Sequence, residues 1–449
     1  MNTSKLTMRQ SLTIASLIFG MLFGAGNLIF PVHLGQMAGS HWVSASMGFL
    51  VTGVLLPLLA LLAISITRSD GIYDLTKPVG HHYALVFLVL ILITLGPFSA
   101  EPRTATVPYT IGVATHLATE HVQIGLLIFT AIFFALVYAF SVQEGKITEM
   151  IGKILNPVFL VMLFVIFTLA FIHPLGNSQT TTPTTAYMHQ AFTNGFLQGY
   201  NTMDTLAMLM FGITIITAIR EMGVNDSVKI SWMTIKSGTI GVVGIGIIYL
   251  VLIWLGATSL HQFAMADNGG VTLQQIAHYY MGLFGDVLLA VLTTVTCLST
   301  AMGIAIAFSQ EFHQLLPQLP YKVILGLNCL LSFLVANLGL DQIITWSTPI
   351  LTFLYPLAIM LVILGILSPF FSGDRIMYQI TMTLILIPAV LDLIVNLPAP
   401  LSQMNFVKFI VSFSTNYIPF FADGFGWLTF GIAGLIIGGI CHIVLQSQK

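Results

Sequence analysis

Apolar residues run through this chain in blocks too long for the elements of a soluble core. Twelve blocks stand out, near residues 10–37, 42–66, 82–119, 122–143, 154–172, 190–219, 237–260, 282–310, 323–340, 342–367, 376–397 and 424–446. A helix needs about 20 apolar residues to cross the hydrocarbon of a bilayer, and each block supplies close to that length or more. The pattern predicts an all-α polytopic membrane protein of twelve transmembrane helices, spans 1 to 12, in a single domain over 1–449. The longest polar connection, around 173–190, is rich in threonine and holds two prolines. A second non-spanning stretch, about 398–423, is expected to lie along the outer membrane surface.

Composition sharpens this picture. Of 449 residues, 57% are hydrophobic and 7% charged, and the mean hydropathy is +0.96. A soluble domain carries about 25% charged residues, so a water-facing surface cannot be built from this chain. The net charge of −2 leaves no basic footprint for nucleic acid. Cys297, Cys329 and Cys441 lie far apart in apolar stretches, which argues against a disulfide framework or a thiolate metal site. The basic start, Lys5 to Arg9, resembles a signal peptide. It lacks a small-residue cleavage site, however, and its apolar run continues into Gly24–Pro31, so it is expected to be a retained first span.

Lysine and arginine set the orientation. With the N-terminus inside, Lys5, Arg9, Arg68, Lys77, Lys146, Lys153, Arg220, Lys229, Lys236, Lys322, Arg375 and Lys449 all fall inside. Only Lys408 falls outside, and Arg103 lies within a span. Positive charge is retained on the cytoplasmic side, so both termini are expected to be cytoplasmic.

Two spans carry residues that a continuous lipid-embedded helix would avoid. Span 1 contains Gly24, Gly26, Asn27 and Pro31 near its centre. A break there exposes the N–H groups of Ala25, Gly26 and Asn27 at the positive end of a half-helix, a setting that suits a carboxylate. The alternative is a small-residue packing face. Span 6 carries Asp204 well inside an apolar block. An ionisable residue at mid-membrane costs about 2.5–3.5 kcal/mol on insertion scales and marks function by default. It suits a substrate amine, a cation or a proton, or else a structural hydrogen bond to a neighbouring span. Interrupted segments at matching positions of two halves predict a five-plus-five inverted repeat. The halves are 10–173 and 190–367, with two additional helices over 376–446.

Other polar groups add candidate chemistry. Thr296, Ser299 and Thr300 share one face of span 8; hydroxyls are hard oxygen ligands suited to an alkali cation, or they bond back to their own helix. Glu101 and Arg103 are intramembrane charges in span 3, read as a structural pair, a gate or substrate ligands. No nucleophile–base set, metal motif or phosphate-cradling loop is visible, so an enzyme is not expected.

The runs Phe23-Gly24-Ala25-Gly26-Asn27-Leu28-Ile29-Phe30-Pro31, Gly96-Pro97…Pro102-Arg103-Thr104-Ala105 and Thr202-Met203-Asp204-Thr205-Leu206-Ala207 resemble the bacterial branched-chain amino acid:cation symporter family along nearly the whole chain. That resemblance implies the leucine-transporter-type fold, a bacterial inner-membrane location, and uptake of leucine, isoleucine and valine coupled to a cation. Sodium is the expected coupling ion, with a proton as the alternative. It further implies that Gly24, Ala25, Gly26 and Asn27 hold the substrate carboxylate. The sodium ion would be held by carbonyls of Gly20 and Phe23 with the hydroxyls of Thr296, Ser299 and Thr300. Asp204 would face the ammonium and Met208 would line an aliphatic pocket. The other reading is a proton-coupled transporter of another small neutral amino acid. The partners expected are the amino acid and the bilayer, with no nucleic acid and no obligate protein. Two features depart from the fold's usual pattern: one residue is missing between Asn27 and Pro31, and Glu101 stands where a small or apolar residue is expected.

Overall fold

The computed structural model of the protein describes residues 8–142, 160–224 and 226–446. Lys5, Lys146, Lys153, Lys449 and the start of the fifth apolar block lie outside the described residues. Among the described residues the regular structure is helical throughout, without a strand. Each of the twelve blocks carries helix.

Span 1 consists of two helices, Met8–Leu22 and Gly26–Ala38. A tight turn at Gly39, with φ of 49°, leads into span 2, which ends at Thr67. Span 3 runs from His81 to Gly112 through a wide π-turn at Thr94–Phe98. Gly96 is non-helical there and Pro97 lacks a backbone donor, and such a defect redirects a helix. Span 4 is Val122–Ser141, and the described part of span 5 is Leu160–Ile172. Span 6 is the bent pair Thr185–Thr202 and Asp204–Glu221, turned by 45°. Spans 7, 9, 10, 11 and 12 are Ser227–Ser259, Tyr321–Ala336, Leu340–Leu367, Arg375–Val395 and Gly426–Gln446.

Span 8 differs from expectation. Helix begins at Gly269 and runs to Leu315, with a kink at Gly282, φ 58°. The segment before the kink mixes polar and apolar residues, so its hydropathy concealed a helix that packs against the bundle. The stretch near 398–423 holds the helix Asn405–Tyr417. Val407, Ile410 and Ser414 are buried, while Phe406, Phe409, Phe413 and Tyr417 are exposed on the other side. Such an aromatic stripe beside Lys408 is the composition of a helix lying in a membrane interface.

The molecule has an apolar outside and a polar centre. Val161, Leu283 and Ile443 are each more than 60% exposed, as lipid-facing side chains are, whereas Asn27, Glu101, Arg103 and Asp204 are buried. Helices in lipid associate through close packing of small residues, and two crossings show it. A Cβ built on Gly35 would lie 2.0 Å from the Ile253 carbonyl oxygen, and one on Gly256 would lie 1.9 Å from that of Val32. These glycines bring span 1 against span 7. Gly48 and Gly195 do the same for spans 2 and 6, at 1.9 Å from the Phe192 oxygen and 2.0 Å from the Ala45 oxygen. If span 1 corresponds to span 6, and span 2 to span 7, both crossings are the same pairing seen twice.

Candidate functional site

The two breaks meet at the centre of the bundle. Helix stops at Leu22 and restarts at Gly26. The side chain of Asn27 turns back, and its Oδ1 accepts from the Gly24 N–H at 2.9 Å. The first N–H groups of a helix have no intrahelical acceptor, which leaves those of Ala25, Gly26 and Asn27 at the start of the second half. In span 6, a short turn at Gly199–Thr202 and Met203 in the left-handed region, φ 59°, precede Asp204. Asp204 therefore opens the second half-helix.

A clamp joins the breaks. Asn27 Nδ2 donates to both carboxylate oxygens of Asp204, at 3.0 Å each. The Tyr249 hydroxyl, from span 7, donates to Asp204 Oδ2 at 2.6 Å and also meets Asn27 Nδ2. All three side chains are buried. Nothing in the sequence pointed to Tyr249; a tyrosine amid apolar residues resembles core, and its only signal is a hydroxyl at mid-membrane that needs a partner.

Against the clamp lies a cavity of about 240 Å³. Its wall includes Gly20, Gly24, Ala25, Gly26, Asn27, Asp204, Ser299 and Thr300 among the residues singled out above. Phe23, Met208 and Thr296 are not on that wall. Met208 is buried in the core, and Ala207 and Phe211, three and seven positions after Asp204, face the cavity instead. Phe23 stacks on Phe19 with ring centres 5.0 Å apart. Met21, Leu22, Leu95 and Ile304 supply apolar wall, and Arg103 and Thr104 supply polar wall.

Span 8 comes directly against the first break. A Cβ on Gly24 would lie 3.4 Å from Thr300 Cγ2 and 3.8 Å from its Oγ1. Thr300 Oγ1 donates to the Thr296 carbonyl at 3.1 Å. The Thr296 hydroxyl is buried without a hydrogen-bond partner among the described residues. Neutral oxygens and one orphaned hydroxyl fit a weakly held alkali cation. Among the described residues no cluster of three or more His, Cys, Asp or Glu could hold a metal.

Glu101 and Arg103 do not form a pair. Glu101 Oε2 accepts from Asn328 Nδ2 of span 9 at 2.6 Å. Arg103 turns toward the cavity and donates from Nη1 to the Asn201 carbonyl at 3.0 Å and from Nη2 to Ser347 of span 10.

Half-helices facing a shared central cavity define a membrane carrier of the discontinuous-helix type. The fold agrees with two solved structures. MhsT in complex with L-phenylalanine aligns with a TM-score of 0.56 at 14% identity, covering 97% of this chain and 100% of that one. Mhp1, a nucleobase-cation-symport-1 family transporter, aligns at 0.60 and 13%, covering 98% and 92%.

The chain belongs to the family described as branched-chain amino acid transport protein, which it matches over residues 7–445. It is 42% identical over 427 residues to the branched-chain amino acid permease BrnQ of Lactobacillus delbrueckii subsp. lactis, covering 94% of this chain and 95% of the relative. It is 36% identical to the permease BrnQ of Bacillus subtilis, covering 99% and 98%. It is thus a multi-pass membrane transport protein and not an enzyme.

Proposed function

We propose that this protein is a sodium-coupled symporter that imports leucine, isoleucine and valine across a bacterial cell membrane, with both termini in the cytoplasm. The relatives' substrates support the solute class, and the observation that carries the reading is the two-natured cavity between the breaks. Its wall combines the Gly24–Asn27 backbone, Asp204, Arg103, Ser299 and Thr300 with the apolar side chains of Met21, Leu22, Leu95, Phe211 and Ile304. Its volume lies below the roughly 300–1,000 Å³ of drug-sized sites, which suits a small zwitterion with an aliphatic side chain.

In this reading the N–H groups of Ala25, Gly26 and Asn27 receive the carboxylate, and Asp204 together with carbonyls at the breaks faces the ammonium. Asn27 and Tyr249 keep Asp204 oriented. Thr296, Ser299, Thr300 and the carbonyls of Gly20 and Phe23 would hold the sodium ion. When bound, it supplies positive charge that favours the approach of span 1 to span 8. Coupling requires only that its affinity differ between the two access states. Spans 1, 2, 6 and 7 then rock against spans 3, 4, 8 and 9. With the N-terminus inside, Gly20, Met21, Phe211 and Ile304 lie on the cytoplasmic side of the breaks, which favours an inward-facing state.

The test is uptake of radiolabelled leucine into proteoliposomes with sodium and pH gradients imposed separately. Uptake is expected with inward sodium and not with choline, and it is expected to be competed by isoleucine and valine. Uptake driven by a pH gradient in sodium-free vesicles would overturn the assignment of the ion; no leucine uptake under either gradient would overturn the substrate. Thr300→Val keeps the shape and removes one hydroxyl. It is expected to raise the half-saturating sodium concentration about tenfold, the equivalent of one hydrogen-bond-sized contact, and an unchanged sodium dependence removes Thr300 from the site.

A further inference from the structure

We propose that Arg103 is the charged component of the carboxylate subsite, fixing specificity for a solute that carries an anionic group beside its ammonium. The inference rests on the reading of the chain as an amino acid carrier and adds a residue and a selectivity rule to it.

Arg103 is 2% exposed and lies in the cavity wall. An ionised group withdrawn from water is strongly disfavoured unless a counter-charge meets it. None does among the described residues. Glu101, two positions earlier, is engaged by Asn328 on the other side of the helix, and no ion pair joins Arg103 to Asp204, which is held by Asn27 and Tyr249.

Among the described residues every partner of the guanidinium is uncharged. These are the Asn201 carbonyl, the Ser347 hydroxyl and the Phe30 ring, whose centre lies 5.1 Å from Cζ. They fix the orientation of the group and leave its charge uncompensated. Nε has no hydrogen-bond partner among the described residues, and a guanidinium carries five N–H donors in a rigid fork matched to a carboxylate. The partners also have a common location. Asn201 lies at the span 6 break, Phe30 in the second half of span 1, and Ser347 in span 10. The positive group is therefore held beside both breaks.

The wall of this cavity of about 240 Å³ thus holds a positive side chain and a negative one, each without the other as partner. A zwitterion satisfies both. An amine lacking the carboxylate would meet Asp204 but leave Arg103 without a counter-charge and add a second positive charge beside it.

The test uses the purified full-length protein in detergent with sodium present, titrated calorimetrically with leucine and separately with leucinol. Leucinol shares the side chain and the ammonium but lacks the carboxylate. The wild type is expected to prefer leucine by about 10- to 100-fold, the value of charge-assisted hydrogen bonds. In Arg103→Gln, leucine is expected to weaken by that factor while leucinol holds its affinity, so the preference collapses toward unity. Arg103→Lys, which keeps the charge without the fork, is expected to fall between, and it carries the test alone if the glutamine variant does not fold. A preference unchanged in a folded variant, or an equal loss of both ligands, overturns the proposal. A wild type that binds no leucine overturns instead the reading on which it rests.

Discussion

Asp204→Ala is expected to lower the initial rate of leucine uptake at least about a hundredfold. The carboxylate accepts three hydrogen bonds, two from Asn27 and one from Tyr249, and all of the groups are buried. Truncation leaves the Tyr249 O–H and one Asn27 N–H without their acceptor, at about 1–3 kcal/mol each. It also unties span 1 from span 6 at the point where both helices are interrupted. A hundredfold is about 2.7 kcal/mol, within what two orphaned groups supply. Asp204→Asn keeps the shape but converts one acceptor oxygen into a donor, so it should retain more activity than alanine. Uptake in proteoliposomes, normalised to reconstituted protein, is the measurement. Wild-type rates in the alanine variant would show that the clamp plays no part in transport.

Gly256→Val is expected to eliminate folded protein. The Cβ it introduces falls 1.9 Å from the Val32 carbonyl oxygen, and ordinary contact begins near 3.4 Å. The obstructing atom belongs to a backbone, so no rotamer change relieves it. Spans 1 and 7 would have to separate by more than an ångström, forfeiting the close packing that holds helices together in lipid. Overpacking costs about 1–3 kcal/mol or more even where side chains can adjust. Gly439→Ala is the control, because a Cβ there meets nothing within 4 Å. Fluorescence-detected size exclusion should show a monodisperse peak for Gly439→Ala and its loss for Gly256→Val; a normal peak for the valine variant would contradict the packing described for this crossing.

The breaks were legible in the sequence because they are anomalies against a uniform background. Glycine, asparagine and proline within a few residues, and one aspartate in an apolar block, conflict with a continuous lipid-embedded helix, and the conflict places them. What those side chains touch was not legible. In the sequence Asn27 is only a polar amide at a break, and the fold shows that it both caps Gly24 and grips Asp204. Met208 is an apolar candidate for the pocket, but a helix turns about 100° per residue, which brings Ala207 and Phe211 to the wall instead. Glu101 and Arg103 look like partners from their spacing, yet residues two apart on a helix do not face each other. The helix ahead of Gly282 was hidden because its burial is partial and its composition mixed.

Span 7 has a consequence for how the interrupted first span can move. It is one unbroken helix of 33 residues, and both pieces of span 1 lie along it, near Ala15 beside Gly241 and near Val32 beside Gly256. It acts as a splint. The joint at Gly24 cannot flex freely while the splint stays straight, so both pieces should swing with it as a single lever whose fulcrum lies where Tyr249 reaches the carboxylate.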